Sequence, residues 1–333
     1  MLLTIPANHQ SPGEWADAGL LHGVATEAVR RCPRAVSEYS LKRMAPHSPS
    51  RTSLAPSNLV HELRQTCIDT IGPAGTFDIF ANCFLGRSYP LLLPLIFAPD
   101  ASSLLRRLRA VENLTPRVAT TTLTGNGDYW IDIRQVRNDM DIAATTSYGV
   151  GYWGMIVGIF RAAGYKGLKL YSNDGVAITV IYNDDAFCIE SLKALPRTQE
   201  ARLTWRTRTQ PSSPALSIVS PLVDSPMVDR IADIMCCALD AGSPVPSLTE
   251  IAKMTYCSTR SVQRRLTSVW ITLRDISLSA RIHRATLMLS GCDDWSLTDI
   301  ACDSGFSDAP HFAREFKRVA GLTPENYRTM YRL

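Results

Sequence analysis

The chain has 333 residues, of which 45% are hydrophobic and 20% charged, and its formal net charge is +4. That length suggests two or three domains, and that apolar content excludes wholesale disorder and collagen-like or mucin-like repeats. Nine cysteines with no Cys-x-x-Cys pair fit neither a disulfide framework nor a zinc ribbon, so a reducing compartment is expected.

The first 55 residues are mixed. Glu14 to Arg31 reads as a helix, and Ala45 to Ser57, rich in Ser and Pro, as a loop or arm. Leu59 to Ile71 has helical spacing through Leu59, Leu63 and Ile68. Ser102 to Leu114 is a basic amphipathic helix with Ser102 or Ser103 as cap and Leu104, Leu105, Leu108 and Val111 on one face. Two strands follow, Val118 to Thr124 and Tyr129 to Val136, with Gly125-Asn126-Gly127-Asp128 as the hairpin turn between them. A helix over Tyr152 to Ala163, a strand around Leu168 to Tyr171 and a helix from about Gly175 to Tyr182 complete an α+β pattern. Pro196 to Pro226 is dominated by Thr, Ser, Arg and Pro and reads as a linker, placed at 196–223. The division expected is therefore an α+β domain over 1–195, a linker, and an all-α domain over 224–333. The apolar runs Leu91 to Ala98 and Tyr148 to Phe160 fall short of the roughly 20 residues a membrane helix needs. No signal peptide opens the chain, so a cytoplasmic protein without a membrane partner is expected.

Charge becomes informative only when divided. From Asp224 onward 13 basic residues balance 13 acidic ones. Within that stretch, residues 258–284 hold Arg260, Arg264, Arg265, Arg274, Arg281 and Arg284 against Asp275 alone, whereas 293–318 is acid-rich. A local basic face matters more for phosphate contact than the total, because screening limits attraction to about 8–10 Å.

Two similar helical units lie in this region. In the first, Ser247 or Thr249 caps a helix carrying Ile251 and Ala252 inward, and Ser258 caps a second helix. On the second helix Val262, Leu266 and Val269 share one face, and Arg260, Gln263 and Arg264 share another. Arg and Gln can bond bidentately to guanine and adenine edges in the major groove, which admits an α-helix. An ordinary solvated face explains the same pattern. In the second unit Leu297, Ile300 and Ala301 face inward and Gly305 ends the helix. Ser307 and Asp308 cap the next helix, and Pro310 is tolerated in its first turn. Phe312, Phe316 and Val319 pack inward there, with His311, Arg314, Lys317 and Arg318 on or beside the outer surface. Thr323-Pro324 starts a last helix ending near Arg328. Between the units, Leu273 to Leu289 is a helix of roughly 25 Å, able to hold two probes near the ~34 Å separation of successive major grooves.

This series resembles the AraC/XylS family of transcriptional regulators over about 226–333. The match is carried by Ser258 to Leu266, by Arg281 with Ala285 and Leu289, by Ile300-Ala301 and by Gly305-Phe306-Ser307-Asp308. It continues through His311-Phe312, Arg314 to Arg318, Gly321, Thr323-Pro324 and Tyr327-Arg328. The resemblance implies that Arg260, Gln263 and Arg264 face bases from the first unit, and Ala309, His311 and Arg314 from the second. Phosphate contacts are expected from Ser258, Arg265, Ser307, Lys317 and Arg318. Val262, Leu266, Ile300, Ala301, Gly305, Phe306, Phe312, Phe316 and Pro324 form the helix-turn-helix core. Trp270 departs from the family's usual glycine. Because the second reading helix opens acidic and contains Pro310, the first unit is expected to carry more of the affinity.

Residues 1–195 resemble, more weakly, the sensor domain of the ornithine-utilisation-regulator-like branch, through Leu85-Gly86-Arg87, Leu91 to Ala98 and Leu104 to Leu114. That implies a domain that binds a small effector or a partner and helps dimerisation. The reading as a whole is a DNA-binding regulator, as an activator working with RNA polymerase, homodimeric on a double-stranded operator, and not an enzyme. One competing motif is Gly149-x-Gly151-x-x-Gly154 with Asp174 beyond it, a dinucleotide fingerprint if a buried strand precedes it. The preceding Asp141 to Ser147 is polar, and bulky Tyr152 and Trp153 crowd the loop, so a glycine-lined packing helix is favoured and no cofactor is expected. The six histidines show no metal-ligand spacing, so no metal is expected.

Overall fold

The computed structural model describes residues 15–31, 54–84, 92–112, 119–137, 145–173, 178–184, 186–209, 226–269, 271–291 and 294–331. Strand β1 (Trp15–Asp17) pairs antiparallel with β2 (Leu54–Pro56), so the first helix, α1 (Ala18–Arg31), begins later than its sequence pattern suggests. The expected loop over 45–57 lies outside the described residues as far as 53, and its end is β2 and the start of α2 (Ser57–Asn82). Helix α2 is broken at Gly72, with φ 75°, where Pro73 follows and offers no N–H to the helical ladder. A short α3 (Leu93–Ile96) leads to α4 (Ala101–Glu112), which buries Leu104, Leu105, Leu108 and Val111. Its cap is Asp100 rather than a serine: the Ser103 N–H donates to Asp100 Oδ1 at 2.7 Å.

Strands β3 (Ala119–Gly127) and β4 (Trp130–Arg137) form the expected hairpin, but the turn is Asp128-Tyr129. Gly125 and Gly127 instead pair with Asp132 and Trp130, past a bulge after Leu123. Helix α5 (Thr146–Ala162) follows, then β5 (Tyr165–Lys166), β6 (Lys169–Asn173), β7 (Ile178–Asn183), β8 (Ala186–Phe187), β9 (Glu200–Thr204) and β10 (Thr207–Arg208). Six of these strands make one antiparallel sheet in the order β3-β4-β9-β6-β7-β8.

Two expectations are corrected here. The helix placed over 175–182 is strand β7 from Ile178 onward, with 174–177 outside the described residues. Ile178, Thr179, Val180 and Ile181 are β-branched and stiff at χ1, which favours a pleated surface. Second, residues 200–208, assigned to the linker, belong to the α+β region. Strand β9 sits between β4 and β6, and β10 pairs with β5. Ala201 and Leu203 are buried, while Arg202 points outward, bonded to Asp132 Oδ1 at 2.7 Å and 4.1 Å from the Trp130 ring. Residues 210–225 lie outside the described residues.

Helices cover the inner face of the sheet. Phe77 of α2 stacks on Tyr182 of β7 with centroids 5.5 Å apart, and Tyr152 Oη of α5 lies 2.9 Å from Thr121 Oγ1 of β3. Buried Glu112 accepts from the N–H and hydroxyl of Thr121 at 2.6 and 2.7 Å. Helices α2 and α5 approach closely through glycine. A Cβ at Gly154 would lie 2.9 Å from the Phe77 carbonyl oxygen, and one at Gly158 2.6 Å from that of Phe80. The Gly149-x-Gly151-x-x-Gly154 motif therefore lies within a buried helix packed on another helix, not in a loop between strand and helix.

The C-terminal region is all helix: α6 (Pro226–Asp240), α7 (Leu248–Met254), α8 (Thr259–Ser268), α9 (Leu273–Gly291), α10 (Leu297–Asp303), α11 (Ala309–Ala320) and α12 (Pro324–Tyr331). Val228, Ile231, Met235, Ile251, Val262 and Leu266 form one core, to which α9 contributes Ile276 and Ala280. Ile300, Phe306, Phe312, Phe316 and Tyr327 pack in a second, to which α9 contributes Ile282, Ala285 and Leu289. The architecture is an α+β region followed by an all-α region of two helix-turn-helix units joined by a shared helix. Among the described residues no helix is long and apolar enough to cross a membrane.

Candidate nucleic-acid interface

Each unit is built by the same local chemistry. Ser247 caps α7 in a reciprocal box with Glu250, and Ser296 caps α10 with Asp299. These hydrogen bonds hold the Glu250 carboxyl below its ordinary range. Ser258 caps α8, its Oγ accepting from the Ser261 N–H at 3.1 Å, and Asp308 caps α11, accepting from the His311 N–H at 2.6 Å. That backbone bond, with the Ser307 hydroxyl, lowers the Asp308 pKa. Pro310 stands in the first turn of α11, and Gly321 ends it in the left-handed region.

All nine expected core positions behave alike except one. Val262, Leu266, Ile300, Ala301, Phe306, Phe312, Phe316 and Pro324 are buried; Gly305 is exposed, with φ 79° at the turn. The left-handed backbone there explains the glycine.

On α8, Arg260, Gln263, Arg264 and Arg265 are exposed, and no acid among the described residues pairs with them. The helix carries no acidic residue of its own. On α11, Arg314 and Lys317 are exposed, whereas Arg318 donates to Glu315 Oε2 at 2.6 Å. Ala309 and His311 are half-buried: Ala309 packs on the second core, and the His311 ring meets Phe306 edge-on at 5.7 Å. Ser307 Oγ bonds to Asp308 Oδ2 at 3.0 Å and lies 3.3 Å from His311 Nδ1. The structure thus leaves the first helix's basic side chains open and engages several of the second's internally. Trp270 lies outside the described residues.

The sequence places a turn at Tyr256-Cys257 but does not show its strain. Tyr256, in the turn before α8, is 90% exposed and has φ 54°. It occupies the place of Gly305 in the other unit, so aligning the two turns would have exposed the anomaly.

Arg284 of the shared helix ties the two units together. Its Nη1 donates to Asp240 Oδ1 at 2.8 Å and its Nε to Asp303 Oδ2 at 2.8 Å, so the shared helix holds the ends of α6 and α10.

Paired three-helix units around a common rod, each presenting one polar helix, define a double helix-turn-helix region. Residues 251–330 match the helix-turn-helix domain family and form such a domain of the AraC type. Over 83 residues the chain is 35% identical to uncharacterized HTH-type transcriptional regulators of Staphylococcus aureus strains MSSA476 and N315. That match covers 25% of this chain and 11% of those proteins, so it spans a small part of their length. Among solved structures the chain is similar to the transcriptional regulator CdpR from Pseudomonas aeruginosa, at 12% identity over 81% of this chain and 91% of that one, with a TM-score of 0.29. It is also similar to ToxT from Vibrio cholerae O395, at 12% identity over 50% of this chain and 86% of that one, with a TM-score of 0.28.

Proposed function

We propose that the chain is a sequence-specific DNA-binding transcriptional regulator and not an enzyme. Its first recognition helix, α8, offers Arg260, Gln263 and Arg264 to base edges and Arg265, with Ser258, to phosphates. The second, α11, offers Ala309, His311 and Arg314 to bases, with Ser307, Lys317 and Arg318 beside the backbone. The observation that carries this reading is the unpaired basic face of α8, set beside a second polar helix on the same rod. Unpaired exposed cations suit phosphate and guanine better than they suit a solvated bundle. In this reading the α+β region responds to a small effector, the active form is a homodimer on its operator, and promoter-bound RNA polymerase is the partner it activates.

Selection of duplexes from a random library, followed by anisotropy titrations across salt concentrations, tests it. Expected are one enriched sequence and a steep fall of affinity with salt. Arg260→Ala or Arg264→Ala should cost about 1–3 kcal/mol on that sequence, and Arg314→Ala distinctly less. Equal losses from Arg264→Ala and Arg314→Ala would remove the predominance of the first unit. Equal affinity for random and enriched duplexes would sink the reading altogether.

A further inference from the structure

The N-terminal region buries a positive charge that no acid among the described residues meets. Arg64 of α2 is 6% exposed and leans into the first turn of α5. Its Nε donates to Ser147 Oγ at 3.2 Å, its Nη2 lies 2.8 Å from His61 Nδ1, and its guanidinium sits 5.4 Å from the Tyr148 ring centroid. None of these partners is an acid. Burial pulls the Arg64 pKa down to about 10, opposed only by Tyr148. His61 is also lowered, first by desolvation and then by Arg64, with exposed Glu62 acting the other way. The site therefore favours a neutral imidazole. Helix α5 starts at Thr146, capped by Thr145, so the positive end of its dipole faces the same guanidinium. A buried charge is costly unless paired, and here the helix end adds to the cost.

A guanidinium has five N–H groups in a planar fork. Ser147 takes the one on Nε and His61 one on Nη2, so the edge formed by Nη1 and Nη2 has no acceptor among the described residues. Beside it lies Gly151, where a Cβ would come within 2.8 Å of Arg64 Cδ and 3.5 Å of Nη1. The missing side chain makes room for the Arg64 stem against α5.

We propose that Arg64, held by Ser147 and His61 at the start of α5, is the anchor of a binding site for a small organic carboxylate. The carboxylate takes the Nη1–Nη2 edge bidentately, a geometry that suits its two oxygens. The role of this ligand as an effector rests on the regulator reading above; its binding does not.

Thermal melting of the full chain with acetate, cyclohexanecarboxylate, octanoate or inorganic phosphate, at fixed ionic strength, tests the site. At least one carboxylate should raise the melting temperature of the wild type in a saturable way. Arg64→Met should weaken that ligand about 10- to 100-fold, and Arg64→Lys, which keeps the charge without the fork, should also weaken it. Ser147→Ala should weaken it less. Without ligand, Arg64→Met should melt at or above the wild type, because an uncompensated charge has been removed. The site is wrong if no carboxylate shifts the wild type, if Arg64→Met keeps the shift, or if unliganded Arg64→Met melts several degrees lower. A shift by phosphate alone would overturn the carboxylate assignment. DNA titrations on the same samples separate the two ideas: carboxylate binding without sequence-specific DNA binding leaves the site standing and removes the regulator reading, and the reverse removes only the site.

Discussion

Tyr256 and Gly305 occupy the same step of their two turns, at φ 54° and 79°, but only the glycine is free of Cβ strain there. The tyrosine ring is almost wholly exposed, so replacing it forfeits little packing. Tyr256→Gly should therefore raise stability by about 0.5–1 kcal/mol, the left-handed strain relieved less the entropy a glycine adds to the unfolded chain. Thermal melting of the two proteins checks this, and an unchanged or lower midpoint would mean that the ring makes a contact outweighing its strain. At this scale the sequence was a good guide to side chains whose position follows from helical spacing, such as Arg260, Gln263 and Val262. It was a poor guide where a short-range bond competes with solvent. Arg318 and His311 were read as lying on or beside the outer surface and Ser307 as a cap. Arg318 and Ser307 are exposed, but periodicity describes direction, not the nearby Glu315, Phe306 or Asp308 that engages each of them.

Among the elements, α9 carries a half-buried histidine. Burial holds His283 at about pKa 4, with Asp240 pulling weakly upward. The unfolded chain takes up a proton near pH 6.5 and the folded one only near 4, so stability is complete above the first value and declines as pH falls toward the second. His283→Gln should flatten that slope, measured as melting temperature against pH; an unaltered slope would assign it to other groups. The helices of this half were legible because caps and inward residues agree along them, with terminating glycines at Gly305 and Gly321. The sheet was less so. Strand β7 carries an apolar run that reads equally as a short helix until β6 pairs with it. Strand β9 hides its inward Ala201 and Leu203 among Arg and Thr, whose outward places depend on Asp132 and Trp130 more than 60 residues earlier.

For the molecule as a whole, the clamp at Arg284 sets how the two reading surfaces act together. Its half-buried guanidinium meets half-buried Asp303 of the second unit and largely exposed Asp240 of the first, so the Asp303 arm carries most of its worth. Arg284→Met should weaken binding to a complete selected site by about 1–2 kcal/mol while leaving a half-site nearly unchanged. Anisotropy with both duplexes measures this, and equal losses on the two would reduce Arg284 to a local brace. The strand order has a different consequence, for how the protein comes into being. One of the two central members of the six-stranded sheet is β9, the latest of the six along the chain, flanked by β4 and β6, both made well before it. During synthesis, the β3–β4 and β6–β7 ribbons must wait, each with an open edge, until Glu200–Thr204 clears the ribosome and zips them together. A truncation at residue 195 would leave both ribbons without that closing piece, an invitation to aggregate rather than a smaller working sensor.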